Sequence, residues 1–351
     1  MISKKSISIK MKNVSIVNRI HKDKFSRSFE YLRISVTDRC NYRCSYCMPS
    51  EIFNKNYNYI AQDKILSYEE IIKIACILKK IGLKKIRLTG GEPLLRKNID
   101  KLIYKLKMEA KIEHVGMTTN GSLLNDEKLD ILKKAGLDSI TLSLDTLKPG
   151  KINKINGAKK QFNVDGVLKG IEKYFGFVKT NTVVIKGVND DEIFDIIDKV
   201  RKFKSEIRFI EYMDVGESHD WNLNKVITTK DLITQIKNTY DLQAIVSEKS
   251  STSKKWLIKN TDTSIGFISS ISEPFCRECN RARLSVDGKL FTCLFATQGY
   301  DFKEILRSDQ NDEKVLNYFQ EVWRKRTDRY SEIRFTKKDD LPKVEMSYIG
   351  G

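Results

Sequence analysis

Two stretches of this chain hold three cysteines each. CNYRCSYC carries Cys40, Cys44 and Cys47, and CRECNRARLSVDGKLFTC carries Cys276, Cys279 and Cys293. Cysteines bunched this tightly in a chain of 351 residues do not suit a disulfide framework, so they read as metal ligands in a reducing compartment. A structural zinc ion takes four ligands, and no histidine stands near either group in sequence, the three being His21, His114 and His219. An iron–sulfur cluster of four irons tolerates three thiolates, because its fourth iron can stay open for a substrate or cofactor. For the second group a zinc ribbon would need another C-x2-C, although a side chain from elsewhere could complete a zinc site. The seventh cysteine, Cys76, lies in the apolar run IIKIACIL and reads as a small core residue.

Strands and helices must position these ligands. From about residue 31 to 213 short apolar strands alternate with amphipathic helices; the strands read YLRISVT, KKIRLTG, HVGMTTN, SITLSLD, VKTNTVVIKG and IRFIEYMD. Ser67 and Glu70 form a capping box before IIKIACILKKI, which Gly82 closes; Asn125 and Gly136 bracket DEKLDILKKA; Asn189 opens DDEIFDIIDKVRKF. Six βα-like units predict a parallel sheet, doubly wound or closing as a partial TIM-type barrel. Buried parallel strands should be apolar on both faces. Here one face is polar: Arg33, Ser35 and Thr37 in the first strand, Lys85, Arg87 and Thr89 in the second, Thr141, Ser143 and Asp145 in the fourth, Lys179 and Asn181 in the fifth, Glu211 and Met213 in the sixth. Cations buried there without partners would be costly. An open barrel that binds a polar, anionic ligand on its inner face removes the contradiction. An antiparallel sheet with one face in water is the competing reading. The first cysteine group follows the first strand at its carboxyl end, where βα-barrel enzymes keep their active sites. After about residue 230 the composition changes through SEKSSTSKK, and Asp287-Gly288 between two alternating runs signals a hairpin. The expected fold is α/β, a partial (βα)6 TIM-type barrel over residues 28–230 with a smaller C-terminal α+β domain over 231–351 that carries the second cysteine group.

The composition, 40% hydrophobic and 31% charged, is that of a soluble globular protein. No window approaches the ~20 unbroken apolar residues of a membrane helix. A net charge of +18 admits an anionic partner. The excess, however, is mostly lysine scattered along a chain also rich in isoleucine and asparagine, and no aromatic-and-basic module of the usual kinds is present, so nucleic acid is not read as the main partner. Residues 1–27 carry many basic residues and a single acid, Asp23, and read as a disordered basic extension. Almost no arginine and no clear amphipathic period argue against an organellar transit peptide without excluding import; a cytoplasmic location is expected.

Taken together, these motifs resemble the radical S-adenosylmethionine superfamily and, within it, the GTP 3′,8-cyclases that begin molybdenum cofactor synthesis. The resemblance runs over most of the chain, from YLRISVTDRCNYRCSYCMP through TGGEP, TTNGSLL, SLD, KGVND and CRECNRARLS to the terminal Gly350-Gly351. It implies that Cys40, Cys44 and Cys47 ligate a [4Fe–4S] cluster whose open iron chelates S-adenosylmethionine. Tyr46, Gly91, Ser143 and Met213 match positions that contact this cofactor, and the glycines of TGGEP let the backbone approach its amino group. In such enzymes one-electron reduction yields a 5′-deoxyadenosyl radical, which takes a hydrogen from the ribose 3′ carbon of GTP; the 3′ radical then attacks C8 of the guanine. Cys276, Cys279 and Cys293 would hold a second [4Fe–4S] cluster, in the C-terminal domain, whose open iron binds the guanine.

Arg281 and Arg283 lie two apart on one strand and so point the same way. With Arg33, Lys85, Arg87 and Lys179 they would supply the charge a triphosphate needs, and Thr118 matches another position near the substrate. Gly350 and Gly351 match a double-glycine tail that acts in catalysis. The absence of a P-loop makes GTP a substrate for ring chemistry rather than phosphoryl transfer. The implied partners are GTP, an electron donor, a downstream pterin-forming enzyme and a second copy of the chain in a homodimer. Two alternatives stand beside this one: another radical enzyme with an auxiliary cluster, such as a peptide modifier, and a basic zinc protein that binds nucleic acid.

Overall fold

Leu32 and Ile34 alternate with Tyr31, Arg33 and Ser35, and this run forms the first strand, β1 (Tyr31–Ser35). The computed structural model describes residues 22–159, 162–246, 250–308, 311–334 and 343–350. Five further strands run parallel to β1 in chain order: β2 (Lys85–Thr89), β3 (His114–Thr119), β4 (Ser139–Ser143), β5 (Val178–Val184) and β6 (Ser205–Glu211). The helices between them are α1 (Tyr68–Lys79), α2 (Ile99–Met108), α3 (Asp126–Lys134), α4 (Pro149–Asn156), α5 (Val164–Phe175) and α6 (Ile193–Val200). The parallel pairing rules out the antiparallel reading.

The remaining chain extends the same sheet at both edges. After α7 (Thr229–Lys237), β7 (Leu242–Ile245), β8 (Lys254–Ile258) and β9 (Thr263–Ile268) form a meander, and β9 runs parallel to β6. β10 (Arg281–Leu284) pairs parallel with β1 on the far side, followed by the antiparallel β11 (Lys289–Phe291) and β12 (Tyr300–Asp301). The result is one mixed sheet in the order β12-β11-β10-β1-β2-β3-β4-β5-β6-β9-β8-β7. Helices α8 (Phe302–Ser308), α9 (Asp312–Lys325), α10 (Tyr330–Ile333) and α11 (Met346–Ile349) follow.

One face of the sheet packs on the helices. Leu32, Ile34, Ile86, Leu88, Val115, Met117, Ile140 and Leu142 are buried there with Ile71, Ile74, Leu102, Leu106, Leu129 and Leu168 of the helices. Cys76 on α1 is half-buried against this core, as a small apolar residue should be. The other face carries the polar set and opens onto the site.

Local signals act where the chemistry of the caps requires it. Ser67 Oγ accepts from Glu70 N at 3.1 Å, and Glu70 Oε2 accepts from Ser67 N at 2.7 Å, so the capping box closes in both directions. Asn125 Oδ1 accepts from Lys128 N at 2.8 Å at the start of α3. Asn189 departs from its expected role. It holds the N-cap position of the turn Asp190–Glu192, but its side chain makes no capping bond; its amide donates to the carbonyls of Asp145 and Val183, and its oxygen accepts from Ile185 N, so it pins the β5 exit to the β4 exit.

The expectation of a disordered extension through residue 27 is corrected for residues 22–27. Asp23 and Arg27 are buried in an ion pair of 2.6 Å, and Trp323 Nε1 donates to Arg27 O at 3.1 Å. Phe29 then stacks into Phe319 and Trp323 of α9, with centroids 4.5 and 5.2 Å away. The expectation for residues 1–21 lies outside the described residues.

Ser67→Ala leaves the Glu70 amide at the start of α1 without its side-chain acceptor, while the Glu70 carboxylate still accepts from the backbone N–H of residue 67. The substitution should lower unfolding free energy by ~1 kcal/mol, measured by urea denaturation, with no change in metal content.

Candidate active site

The first cysteine loop leaves β1 and is stitched to the loop after β2. Val36 N donates to Thr89 O (2.9 Å), Gly91 N to Thr37 O (2.7 Å) and Glu92 N to Arg39 O (2.9 Å). A Cβ on Gly90 would stand 2.3 Å from Thr37 O, and one on Gly91 would stand 2.3 Å from Arg39 O. The glycines of TGGEP are therefore required by the backbone of the cysteine loop itself. Glu92, buried and pushed up to about 7 by that burial, accepts from Thr119 Oγ1, Asn120 N and Leu94 N. It thereby aims Asn120 at the site. Arg43 closes the loop from outside: it donates to the carbonyls of Cys40, Tyr42 and Phe53 and to Tyr59 Oη.

Three thiols converge on one wall of a cavity of about 910 Å³. Cys40 receives Tyr42 N at 3.4 Å and faces Asn120 Nδ2 at 3.9 Å; Cys44 receives Asn156 Nδ2 at 3.4 Å. Tyr46 Oη donates to Asp145 Oδ2 at 2.6 Å. Burial pushes Cys40 up to about 11, and burial with the nearby Asp145 holds Cys44 well above the usual thiol range; burial raises Cys47 as well. Such thiols ionise when positive charge enters the pocket beside them, which is what an iron cluster brings. Among the described residues no three Cys, His, Asp or Glu side chains converge closely enough to hold one metal ion. A cluster bound through separate irons does not need them to, and the three thiols fit one.

The second triad lines the same cavity. Cys276 and Cys279 sit on a turn that leads into β10, with Cys279 N donating to Cys276 O at 3.3 Å, and Cys293 follows β11. Their surroundings differ from those of the first triad. Burial alone would raise Cys279, but Arg281 and Arg326 overcome it and the thiol falls to about 6. Both guanidiniums donate to its sulfur at 3.4 Å. Burial pushes Cys293 up to about 12.

Between the triads lies a cationic floor. Because β10, β1 and β2 are in register, Arg283, Arg33 and Arg87 stand in one row, and Arg281, Tyr31 and Lys85 in the next. Arg87 is held by Tyr31 Oη (2.6 Å) and Thr141 Oγ1 (2.7 Å), with Thr118 Oγ1 at 3.4 Å. Burial lowers Arg33 to about 10 and, with Arg33 and Arg281 beside it, holds Arg283 well below its usual value; burial and Arg208 bring Lys179 down to about 8. Tyr31 moves the opposite way: Arg87, Arg33 and Arg281 outweigh its burial and lower it to about 7. A group of buried cations pressed toward neutrality, with a phenol as its central acceptor, is a site short of anions.

Arg33, Lys85, Arg87, Thr118, Lys179, Arg281, Arg283, Tyr46, Gly91, Ser143, Met213 and all six cysteines line this one cavity. Gly350 reaches its edge, where its carbonyl accepts from Arg283 Nη1. A Cβ there would meet Thr89 Cγ2 at 2.6 Å. The preceding segment is latched by Glu345, whose carboxylate accepts from Glu217 N, Ser218 N and Ser218 Oγ. Gly351 lies outside the described residues.

One parity expectation is corrected. Glu211 does not face the cavity; it accepts from Thr229 N, Ile271 N and Ser272 N and so anchors the chain after β6. The inward residues of β6 are Arg208 and Ile210, while Met213 lines the cavity from beyond the strand end. Arg208 was missed for that reason, and with it Glu206, which pairs with Arg208 (2.5 Å), Lys255 (3.1 Å) and Lys179 (3.4 Å). The signal available was the even-numbered row Glu206 and Arg208.

Comparison with known proteins identifies the family. Residues 34–200 match the family model of the Radical SAM superfamily, and residues 205–332 match that of Molybdenum Cofactor Synthesis C. The fold is also similar to that of solved structures. Streptococcus suis SuiB superposes with a TM-score of 0.59 at 17% identity, over 90% of this chain and 70% of that one; its S-adenosylmethionine-bound form gives 0.55 at 18% identity, over 76% and 60%. The family-model matches and the curated relatives make this chain a radical S-adenosylmethionine enzyme. The chain belongs to the GTP 3′,8-cyclase family: it is 40% identical over 343 residues to the enzyme of that name from Staphylococcus epidermidis, covering 95% of this chain and 100% of that one. It is 41% identical over 332 residues to the Aquifex aeolicus enzyme, covering 94% and 99%.

Gly91→Ala forces a methyl group against Arg39 and Cys40. The variant should lose iron from the first site during anaerobic reconstitution while keeping its secondary structure, as read by iron analysis and circular dichroism. Full iron loading would show that the loop yields without cost.

Proposed function

We propose that this chain catalyses the radical S-adenosylmethionine-dependent cyclisation of GTP to (8S)-3′,8-cyclo-7,8-dihydroguanosine 5′-triphosphate, the first step of molybdenum cofactor biosynthesis. One observation carries the reading: two cysteine triads and a row of arginines on three adjacent strands line one cavity. Cys40, Cys44 and Cys47 would hold a [4Fe–4S] cluster that, when bound, supplies one-electron reductive cleavage of S-adenosylmethionine. Tyr46, Gly91, Ser143 and Met213 are assigned to the cofactor. Arg33, Lys85, Arg87, Thr118, Lys179, Arg281 and Arg283 are assigned to GTP, whose triphosphate offers the anions these cations lack. Cys276, Cys279 and Cys293 would hold a second [4Fe–4S] cluster at the guanine end. The strands β1–β6 form the partial barrel and residues 231–351 its auxiliary unit. Gly350 and Gly351 are assigned to catalysis; at Gly350 a Cβ would meet Thr89 Cγ2 at 2.6 Å.

The chain's own residues bind, orient and exclude water. Arg87 is fixed before any ligand arrives, because Tyr31 and Thr141 hold two of its nitrogens. Asp145 and Asn156 orient Tyr46 and the Cys44 sulfur together. An electron donor and a downstream pterin-forming enzyme complete the set of partners, and we place the reaction in the cytoplasm. No helix among the described residues is long and apolar enough to cross a membrane.

The direct test is an anaerobic reaction of the reconstituted protein with GTP, S-adenosylmethionine and a reductant, with the product identified by mass and chromatography. Full iron and cofactor cleavage without a cyclised nucleotide would reject the reading. Cys44→Ala should abolish cofactor cleavage. Cys279→Ala should remove the second cluster and impair GTP turnover while uncoupled cleavage persists. Equal iron content and equal cleavage in the two variants would defeat this division of roles.

Deleting Gly350 and Gly351 removes no side chain. The shortened protein should keep both clusters and its melting temperature, still cleave S-adenosylmethionine, and form little cyclised product. Cyclisation at the full-length rate would make the tail inert.

A further inference from the structure

The N-terminal segment and the end of α9 meet behind the second cysteine turn, in a buried ion network that the cyclisation reading leaves unused. Asp23, Arg27 and Arg326 are 7%, 4% and 4% exposed. Asp23 Oδ2 lies 2.6 Å from Arg27 Nε and 3.4 Å from Arg326 Nη1. Arg27 Nη1 donates to Cys276 O at 2.7 Å and to Asp328 O at 2.9 Å. Arg326 Nη1 donates to Cys279 O at 2.7 Å, and its Nη2 donates to Cys279 Sγ at 3.4 Å. The stem of the network is clamped, since the Arg326 guanidinium also lies over the Trp323 ring, 4.6 Å from its centroid.

We propose that Arg326, oriented by Asp23, is the positioning residue of the second cysteine site: it grips the Cys276–Cys279 turn and donates to the Cys279 sulfur, making the metal group held there easier to reduce than the one at the first site. This rests on the reading that Cys276, Cys279 and Cys293 hold an iron–sulfur cluster. Three observations support it. Two buried guanidiniums face one fully buried carboxylate, and the other acid in reach, Asp328, is partly exposed; the excess positive charge points at the cysteines. A buried cation without compensation is costly, and a thiolate on the cysteine turn compensates it. The planar fork of arginine reaches a carbonyl and a sulfur at once, which a lysine ammonium on its flexible stem does not do with fixed geometry.

The contrast with the first triad gives the direction. Among the described residues the donors at the Cys40 and Cys44 sulfurs are neutral: Tyr42 N, Asn120 and Asn156; Arg43 donates to the Cys40 carbonyl. Hydrogen bonds and positive charge at a ligating sulfur favour the reduced, more negative state of a cluster. The network therefore separates the two sites electrostatically, leaving the lower potential at the first.

The test uses full-length protein, reconstituted anaerobically, in two backgrounds. In one, Cys40, Cys44 and Cys47 are alanine, so only the second site can hold iron; in the other, Cys276, Cys279 and Cys293 are alanine. Midpoint potentials are read by EPR-monitored titration, together with iron and sulfide content and melting temperature. Arg326→Gln should shift the second-site potential to more negative values at full iron content and leave the first-site potential unchanged. Arg326→Lys, which keeps the charge, should shift it less. An unchanged second-site potential at full iron content overturns the proposal. If Arg326→Gln loses iron, the melting temperature in the background without the second triad decides: unchanged there, Arg326 acts on the cysteine turn; lowered as much as in the other background, it is a packing residue and the proposal falls. No iron at the second site in the parent protein would instead reject the cluster assignment on which the proposal rests.

Discussion

β1 and β10 run parallel, with Tyr31 opposite Arg281 and Arg33 opposite Arg283, and the site depends on this pairing. β1 ends in the first cysteine loop. β10 begins directly after the second cysteine turn. Setting the two strands side by side brings two triads from distant parts of the chain to one cavity. It also aligns three guanidiniums on neighbouring strands. Without β10, β1 would present an unpaired edge, and Arg33 and Arg87 would face water rather than a closed cationic row.

That row has a consequence for how the protein tolerates its own site. Like charges on adjacent strands at equal register repel, and here burial removes much of the water that would screen them. The compensation is local and partial. Tyr31 accepts from Arg87, Glu206 collects Arg208, Lys179 and Lys255, and the Gly350 carbonyl takes Arg283. Of these acceptors only Glu206 carries a full negative charge; a carbonyl and a phenol give less to a guanidinium than an anion does. The cavity is thus folded with more cationic charge than its own acceptors compensate.

The two cysteine sites divide along the same physical line. The first is wrapped in neutral amides and raised thiols, held by backbone stitching between the loops after β1 and β2. The second is backed by guanidiniums that reach its sulfur and its carbonyls. One fold thereby supplies two electrostatic environments for chemically identical ligands, and the difference comes from which neighbours the sheet edges recruit.

The local chemistry was legible in the sequence, because the forces behind it act over a few residues. The cysteine spacings, the period-two strands, the Ser67–Glu70 box and the Asp287-Gly288 hairpin are all properties of short segments, and the polar face of the strands followed from alternation alone. Other features were decided only by tertiary structure. Asp23 and Arg27 read as part of a solvated tail, but Cys276, Arg326 and Trp323 surround them in the fold. Asn189 read as a cap and became a pin, because the carbonyls it serves belong to two strand ends. Glu211 read with Met213 as part of the polar inner face, since parity identifies alternate faces but does not say which one looks inward. That choice is made by Ile207 and Phe209, which are buried in the main hydrophobic core and so turn Arg208 toward the cavity. A pattern in sequence fixes relative orientation along one strand; only packing against the rest of the chain assigns it a direction.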